Sequence, residues 1–179
     1  MKKRASTVAV IAAASVLWIT LDQPGQWSAP PPVESDLTKT YAESMTLWHF
    51  DERGQLSSRL TVDEARQPLR KPVTELVGIF IDGRTTDNRR WTTTAREGVL
   101  WGGNNRLNLK SEVELQMPGE AVTLRANHLN LDLERKLARS SARVTLTSKS
   151  SETTGRGLFA DLEQQLIKLH EDVETRYVH

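Results

Sequence analysis

The chain has four histidines, His49, His128, His170 and His179, and no cysteine. A metal site needs two or more ligands at a spacing that one element can present together. None of the four histidines has such a neighbour. His128 with Asp132 comes nearest, and it reads as a solvated pair on a strand rather than as a site. Without cysteine there is no disulfide framework and no thiolate metal site. No nucleophile elbow is present. Gly155-Arg156-Gly157 is a GxG that lacks the third glycine and the strand-to-helix setting of a phosphate loop, so a bulge or bend is the better reading. The carboxylates are scattered rather than paired. These residues point away from an enzyme, a metal centre and a bound cofactor. With 24 basic and 23 acidic residues the charge is nearly balanced, which does not suggest nucleic-acid binding.

The elements around these residues read as short strands. Asp51-Glu52-Arg53-Gly54 is a turn signal, as are Asp82-Gly83, Gly102-Gly103-Asn104 and Pro118-Gly119. From Leu107 to Met117 the odd positions are Leu107, Leu109, Ser111, Val113, Leu115 and Met117, and every even position is polar. Such period-2 alternation buries one face of a strand and wets the other. Val122, Leu124 and Ala126 continue it, and then the phase slips by one to Leu129, Leu131 and Leu133. Asn127-His128 is therefore expected to hold a bulge or corner. Val144 and Leu146 give a further strand. A weak repeat links Ala95, Leu107, Leu109 and Val113 to Ala126, Ala138, Ser140 and Val144. It then links these to Gly155, Ile167, Leu169 and Val173, at periods of 31 and 29 residues. Stacked units of this kind make a β-solenoid or an open jelly roll with a continuous apolar interior. Leu158, Leu162, Leu166, Leu169 and Val173 taken alone have helical spacing. The repeat register makes the same segment strands, and the repeat is followed here because two earlier units carry it.

The N-terminus reads as a membrane anchor. Lys2, Lys3 and Arg4 precede an uncharged run of 17 residues from Ala5 to Leu21. At about 1.5 Å per residue the run spans roughly 25 Å, slightly short of a hydrocarbon core. Trp18 suits the interfacial belt, and the basic residues place the N-terminus in the cytoplasm with the remainder outside. A cleaved signal peptide is the competing reading. Cutting at Ala12-Ala13-Ala14 leaves too short an apolar stretch, and a cut after Ala29 sets Trp27 and Pro30 against the bond. Ala5, Ala9 and Ala13 form a small-residue stripe of the kind that lets membrane helices approach closely, although alanine is also common in anchors generally. Residues 22–40, with Pro24, Gly25, Pro30, Pro31 and Pro32, read as an extended linker. The folded domain, 41–179, is expected to start near Tyr41.

This layout, together with several short motifs, resembles the LptC family of lipopolysaccharide export. The motifs are Asp-x-x-Gly at 51–54, Lys71-Pro72-Val73, Trp91-Thr92-Thr93-Thr94-Ala95-Arg96-Glu97-Gly98, Leu107-x-Leu109-x5-Leu115 and Gly155-Arg156-Gly157-Leu158-x-Ala160-Asp161. The resemblance covers nearly the whole chain. It implies a mainly β fold, an open twisted jelly roll of antiparallel strands behind one N-terminal transmembrane helix. It further implies lipopolysaccharide with its acyl chains inside the roll, and docking of the membrane helix on the LptF–LptG transporter with its ATPase LptB. A C-terminal edge paired with the periplasmic bridge protein LptA is also implied.

The alternation gives inward candidates for contact with acyl chains: Leu107, Leu109, Val113, Leu115, Leu124, Leu131, Val144 and Leu146, to which Leu69 and Phe80 are added. Each is also an ordinary core candidate. At roughly 0.8 kcal/mol per buried CH₂, an apolar groove binds acyl chains without any special residue. Ile167, Leu169, Val173, Thr175 and Tyr177 alternate with polar residues and are the candidates for an edge strand that a partner extends. Two readings of other classes stand beside the carrier: an anchored envelope scaffold filled by its own side chains, and an envelope hydrolase with a dispersed site.

Overall fold

A computed structural model of the chain describes residues 38–101 and 106–177. Nine strands make one antiparallel sheet in sequence order. They are β1 (Thr38–Phe50), β2 (Leu56–Pro68), β3 (Val73–Arg84), β4 (Arg90–Trp101), β5 (Arg106–Met117), β6 (Val122–Asp132), β7 (Leu137–Thr147), β8 (Ser151–Asp161) and β9 (Leu166–Tyr177). A single 3-10 turn, Pro118–Glu120, joins β5 to β6, and no α-helix lies among the described residues. Among the described strands the sheet is open, because β1 and β9 pair on one side only.

Strands of 11 to 13 residues are about twice the usual length, and each of them bends. The bend is written in the phase of the inward residues. Inner positions are three apart across the middle of β2 (Val62 to Ala65), β3 (Leu76 to Ile79), β6 (Ala126 to Leu129) and β8 (Gly155 to Leu158). They are four apart in β5 (Leu109 to Val113) and β7 (Ser140 to Val144), where a one-residue register shift sits against the neighbour. Left-handed residues mark the same column: Ser44, Gly78, Ser111, Glu112, Gly157 and Asp172. The other left-handed residues lie in turns.

Because the apolar face stays inward on both sides of the bend, the sheet rolls over its own core. Leu60, Val62, Leu76, Ile79, Ile81 and Trp91 from the first strands join Leu107, Leu109, Leu115, Leu124, Leu131 and Leu162 in one buried cluster. Side chains on a single sheet reach such burial only if the sheet covers itself.

The sequence reading meets the structure closely from β5 onward. The corner expected at Asn127-His128 is there, opposite the Lys110/Val113 register shift. Gly155-Arg156-Gly157 is a bend, with register shifts toward both β7 and β9. Residues 158–173 are strand, turn and strand, so the repeat was the better guide than the leucine spacing. The repeat positions Leu107, Ala138 and Ile167 fall on one row, bridged by Leu131 and Ala160.

Two expectations are corrected. Asp82-Gly83 is not a turn but the end of β3; the turn follows at 85–89. Gly83 is needed because the Trp91 indole lies over it, and an added Cβ would stand 2.1 Å from the ring. β1 also includes Thr38–Thr40, so the last residues assigned to the linker are strand. The expected anchor with Ala5, Ala9 and Ala13, the rest of the linker and the Gly102-Gly103-Asn104 turn lie outside the described residues. No helix among the described residues is long and apolar enough to cross a membrane.

Gly78 gives the direct test of the bend. Its φ is +64°, and a Cβ there would meet the Asp63 carboxylate. Gly78→Ala is expected to destabilise the domain by about 1–2 kcal/mol, the cost of an L side chain in the left-handed region. Urea unfolding checks this, and an unchanged midpoint contradicts it.

Candidate functional site

The inner face is built from rows that run across the strands. One row reads Leu60, Ile81, Thr93, Leu115, Leu124 and Leu146. Another reads Leu107, Leu131, Ala138, Ala160 and Ile167. Of the inward candidates, Leu107, Leu109, Val113, Leu115, Leu124, Leu131 and Val144 are buried in the core, and Leu146 packs against it half-covered. Two candidates are misplaced. Leu69 sits in the β2–β3 turn, 55% exposed. Phe80 points outward between Thr61 and Thr94, because its neighbours Ile79 and Ile81 occupy the inward phase. The inward residues of β2–β4 (Leu60, Val62, Leu76, Ile79, Ile81 and Trp91) were missed. The alternations Leu60-x-Val62 and Ile79-x-Ile81 were the available signal.

The interior runs out uncovered at the edges. Ile167, Leu169, Val173, Thr175 and Tyr177 all belong to β9, which has β8 as its only neighbour among the described strands. Ile167 and Leu169 are half-buried, whereas Val173 is 53% and Tyr177 72% exposed. On the opposite edge Met45 is half-buried and Leu47 exposed, although both pair with core residues, Val62 and Leu60. The roll thus has an apolar interior and two rims whose main-chain groups are unpaired on one side among the described strands.

A polar latch holds one end together. Glu163, in the β8–β9 turn, accepts from the Thr86 N–H at 2.7 Å and from Lys136 Nζ at 2.6 Å. Arg89 Nη2 donates to the Glu163 carbonyl at 2.9 Å, and Nη1 donates to Gln165 Oε1. The Leu162 N–H reaches the Lys136 carbonyl at 2.8 Å. Turns at 85–89, 133–136 and 162–165 are thereby tied together. Partial burial pushes the Glu163 carboxyl up, but the hydrogen bonds from Lys136 and Thr86 outweigh it and hold the group below the ordinary carboxylate range. Asp87 is likewise held low, by hydrogen bonds from Thr85 and Arg89. Nothing in the sequence signals this latch, since Thr86 and Arg89 stand more than 70 residues from Glu163 and Lys136 stands 27 from it.

The chemistry-bearing residues stay apart. His128 is opposite Lys110, and its carbonyl accepts from Ser140 Oγ at 2.7 Å. Asp132 is engaged by the Arg135 N–H at 2.9 Å and by Arg106 at 3.7 Å. Among the described residues no group of His, Asp or Glu could hold a metal ion. The outer face carries several open clefts, one of them of about 450 Å³ and lined in part by Trp101, Arg106, Asn108, Asn130, Arg135 and Arg139.

Residues 7–178 match the family described as "Lipopolysaccharide-assembly, LptC-related". The chain belongs to the LptC family. An LptC-family protein is a non-enzymatic component of lipopolysaccharide transport, in keeping with a structure whose prominent feature is an apolar interior. None of the curated proteins matches the chain.

The depressed Glu163 pKa fixes the sign of a pH effect. A group held below its unfolded value contributes stability above that value and loses it as pH falls toward the folded one. Wild type is expected to be more stable than Glu163→Gln near neutrality, with the gap closing as the pH falls from about 4.3, the ordinary glutamate value, toward the lower folded one. Urea titrations of both across that range check it; a constant gap contradicts it.

Proposed function

We propose that this chain is a membrane-anchored periplasmic carrier of lipopolysaccharide. It receives the lipid from the inner-membrane transporter LptF–LptG, driven by LptB, and passes it to LptA docked on β9. The observation that carries the reading is the apolar inner face, which continues without cover onto the edge strand β9. Acyl chains gain about 0.8 kcal/mol per buried CH₂ on such a surface. The free side of β9 offers N–H and C=O groups to an added strand. Its charged residues Lys168, Glu171, Asp172, Glu174 and Arg176 discourage indiscriminate pairing.

The anchor places the domain on the outer side of the inner membrane, and its Ala5/Ala9/Ala13 face packs against the transporter. Co-purification with the transporter is expected to fall in Ala9→Leu plus Ala13→Leu. Unchanged co-purification makes the stripe incidental.

A second reading, the anchored scaffold, draws on the close packing of the interior, where Leu109, Leu115 and Leu124 expose no surface. In that reading the roll is a core and takes no lipid. Photocrosslinkers at Leu107, Leu109 and Leu131, with Asn108 and Asn130 as outward controls, separate the two. The carrier gives lipid adducts at the leucines only. Adducts at the asparagines alone reverse the face, and adducts nowhere favour the scaffold.

Docking has its own probe. Val173→Pro removes a donor and fits poorly in a paired strand. It is expected to weaken capture of the bridge protein by roughly tenfold, the worth of about one hydrogen bond. The transporter contact should be left intact. Truncation before Gln165 acts the same way, and a folded variant capturing at wild-type strength rejects edge docking.

A further inference from the structure

The interior is not uniformly apolar. Ser58, Trp91 and Thr93 are 3%, 1% and 0% exposed, and each carries a polar atom with no hydrogen-bond partner among the described residues: Ser58 Oγ, Trp91 Nε1 and Thr93 Oγ1. Buried polar groups are nearly always partnered, so three orphans in one region call for a reason. They share the inner face. Ser58 pairs with Gly83, and Gly83 with Trp91. Thr93 lies on the adjacent inner row, opposite Ile81. The indole crosses toward β2: a Cβ on Gly83 would stand 2.7 Å from Trp91 Nε1. Gly83 thus leaves room for the indole, whose N–H is held buried on the inner face of the roll.

We propose that these three groups receive the carbonyl oxygens that root the acyl chains of a bound amphiphile. The inference rests on the carrier reading above and adds which part of the lipid is recognised. The donor chemistry selects the ligand. An indole N–H can only donate, and the two hydroxyls can join it in donating, so the missing partner is an acceptor. Neither row carries a lysine or arginine, and the one titratable side chain on them is His49, half-buried at the β1 edge opposite Ser58. A charged phosphate or carboxylate would therefore be buried without a counter-charge, which is strongly unfavourable. A neutral ester or amide oxygen meets both conditions. The Thr93 row also continues as Leu115, Leu124 and Leu146, three strand spacings or about 14 Å of apolar floor. A chain rooted at Thr93 lies along those leucines.

The test uses the full chain and two lipids. One is a phosphorylated glucosamine disaccharide with ester- and amide-linked chains; the other is its counterpart with ether- and amine-linked chains of the same length. Wild type is expected to bind the carbonyl lipid about tenfold more tightly. Thr93→Val and Ser58→Ala are expected to shrink that preference to about twofold or less, while the melting temperature holds or rises because an orphan hydroxyl has gone. Equal binding of both lipids by wild type overturns the proposal and leaves the carrier reading standing. So does a Thr93→Val protein that melts earlier and keeps the preference, since its hydroxyl then serves an ordered water in the ligand-free chain. Binding of neither lipid overturns the carrier reading and this proposal with it.

Discussion

The fold depends on one constraint: each long strand must keep its apolar face inward across a bend. A strand turns its side chains to alternate faces, so a bend without a phase change would expose one half of every strand. This chain meets the constraint with inner residues spaced three or four apart at mid-strand, and with left-handed residues such as Gly78, Ser111 and Asp172 at the same level. The bends line up from strand to strand, so the sheet folds as a whole. The rows that result bring Leu60 of β2 and Leu146 of β7 onto one continuous inner surface.

Rolling buries the core, but it leaves the sheet unclosed. A barrel would pair β1 with β9 and remove both edges. Here the ends of the strands are tied instead by Glu163, Lys136, Thr86 and Arg89, through polar contacts between turns. Such contacts hold a shape without sealing a sheet. The arrangement suits the carrier proposed above, because among the described strands both rims remain unpaired on one side. The tight packing of the central leucines sets the opposing cost. An acyl chain gains its burial only where side chains give way or where the inner face is already uncovered, as at Leu169 and Val173.

How much was legible in the sequence follows from where local pattern and tertiary need agree. Leu107 to Met117 alternates cleanly, and its inward assignment is correct. The slip at Asn127-His128 was visible because a phase change in an alternating run has no other local explanation. Residues 158–173 were ambiguous because a strand, a tight turn and a bent strand place leucines at steps of three and four, as a helix does. The repeat resolved this, since its period tracks the strand-pair spacing of the meander. Gly83 misled because a glycine after an aspartate marks a turn locally, whereas here it makes room for Trp91, eight residues away and on the next strand. Leu69 has no alternating run around it, and Phe80 stands in the outward phase of Ile79-x-Ile81, so neither faces inward. The latch and the orphaned Ser58, Trp91 and Thr93 belong to tertiary structure alone.

The account stands or falls on which face of the sheet meets the acyl chains. Nuclear Overhauser contacts between lipid chain protons and labelled leucine and phenylalanine side chains of the full-length protein measure this directly. The account predicts contacts from the chains to Leu109, Leu115, Leu124 and Leu131, and none to the outward Phe80. Contacts to Phe80 with silence from the inward leucines would contradict it.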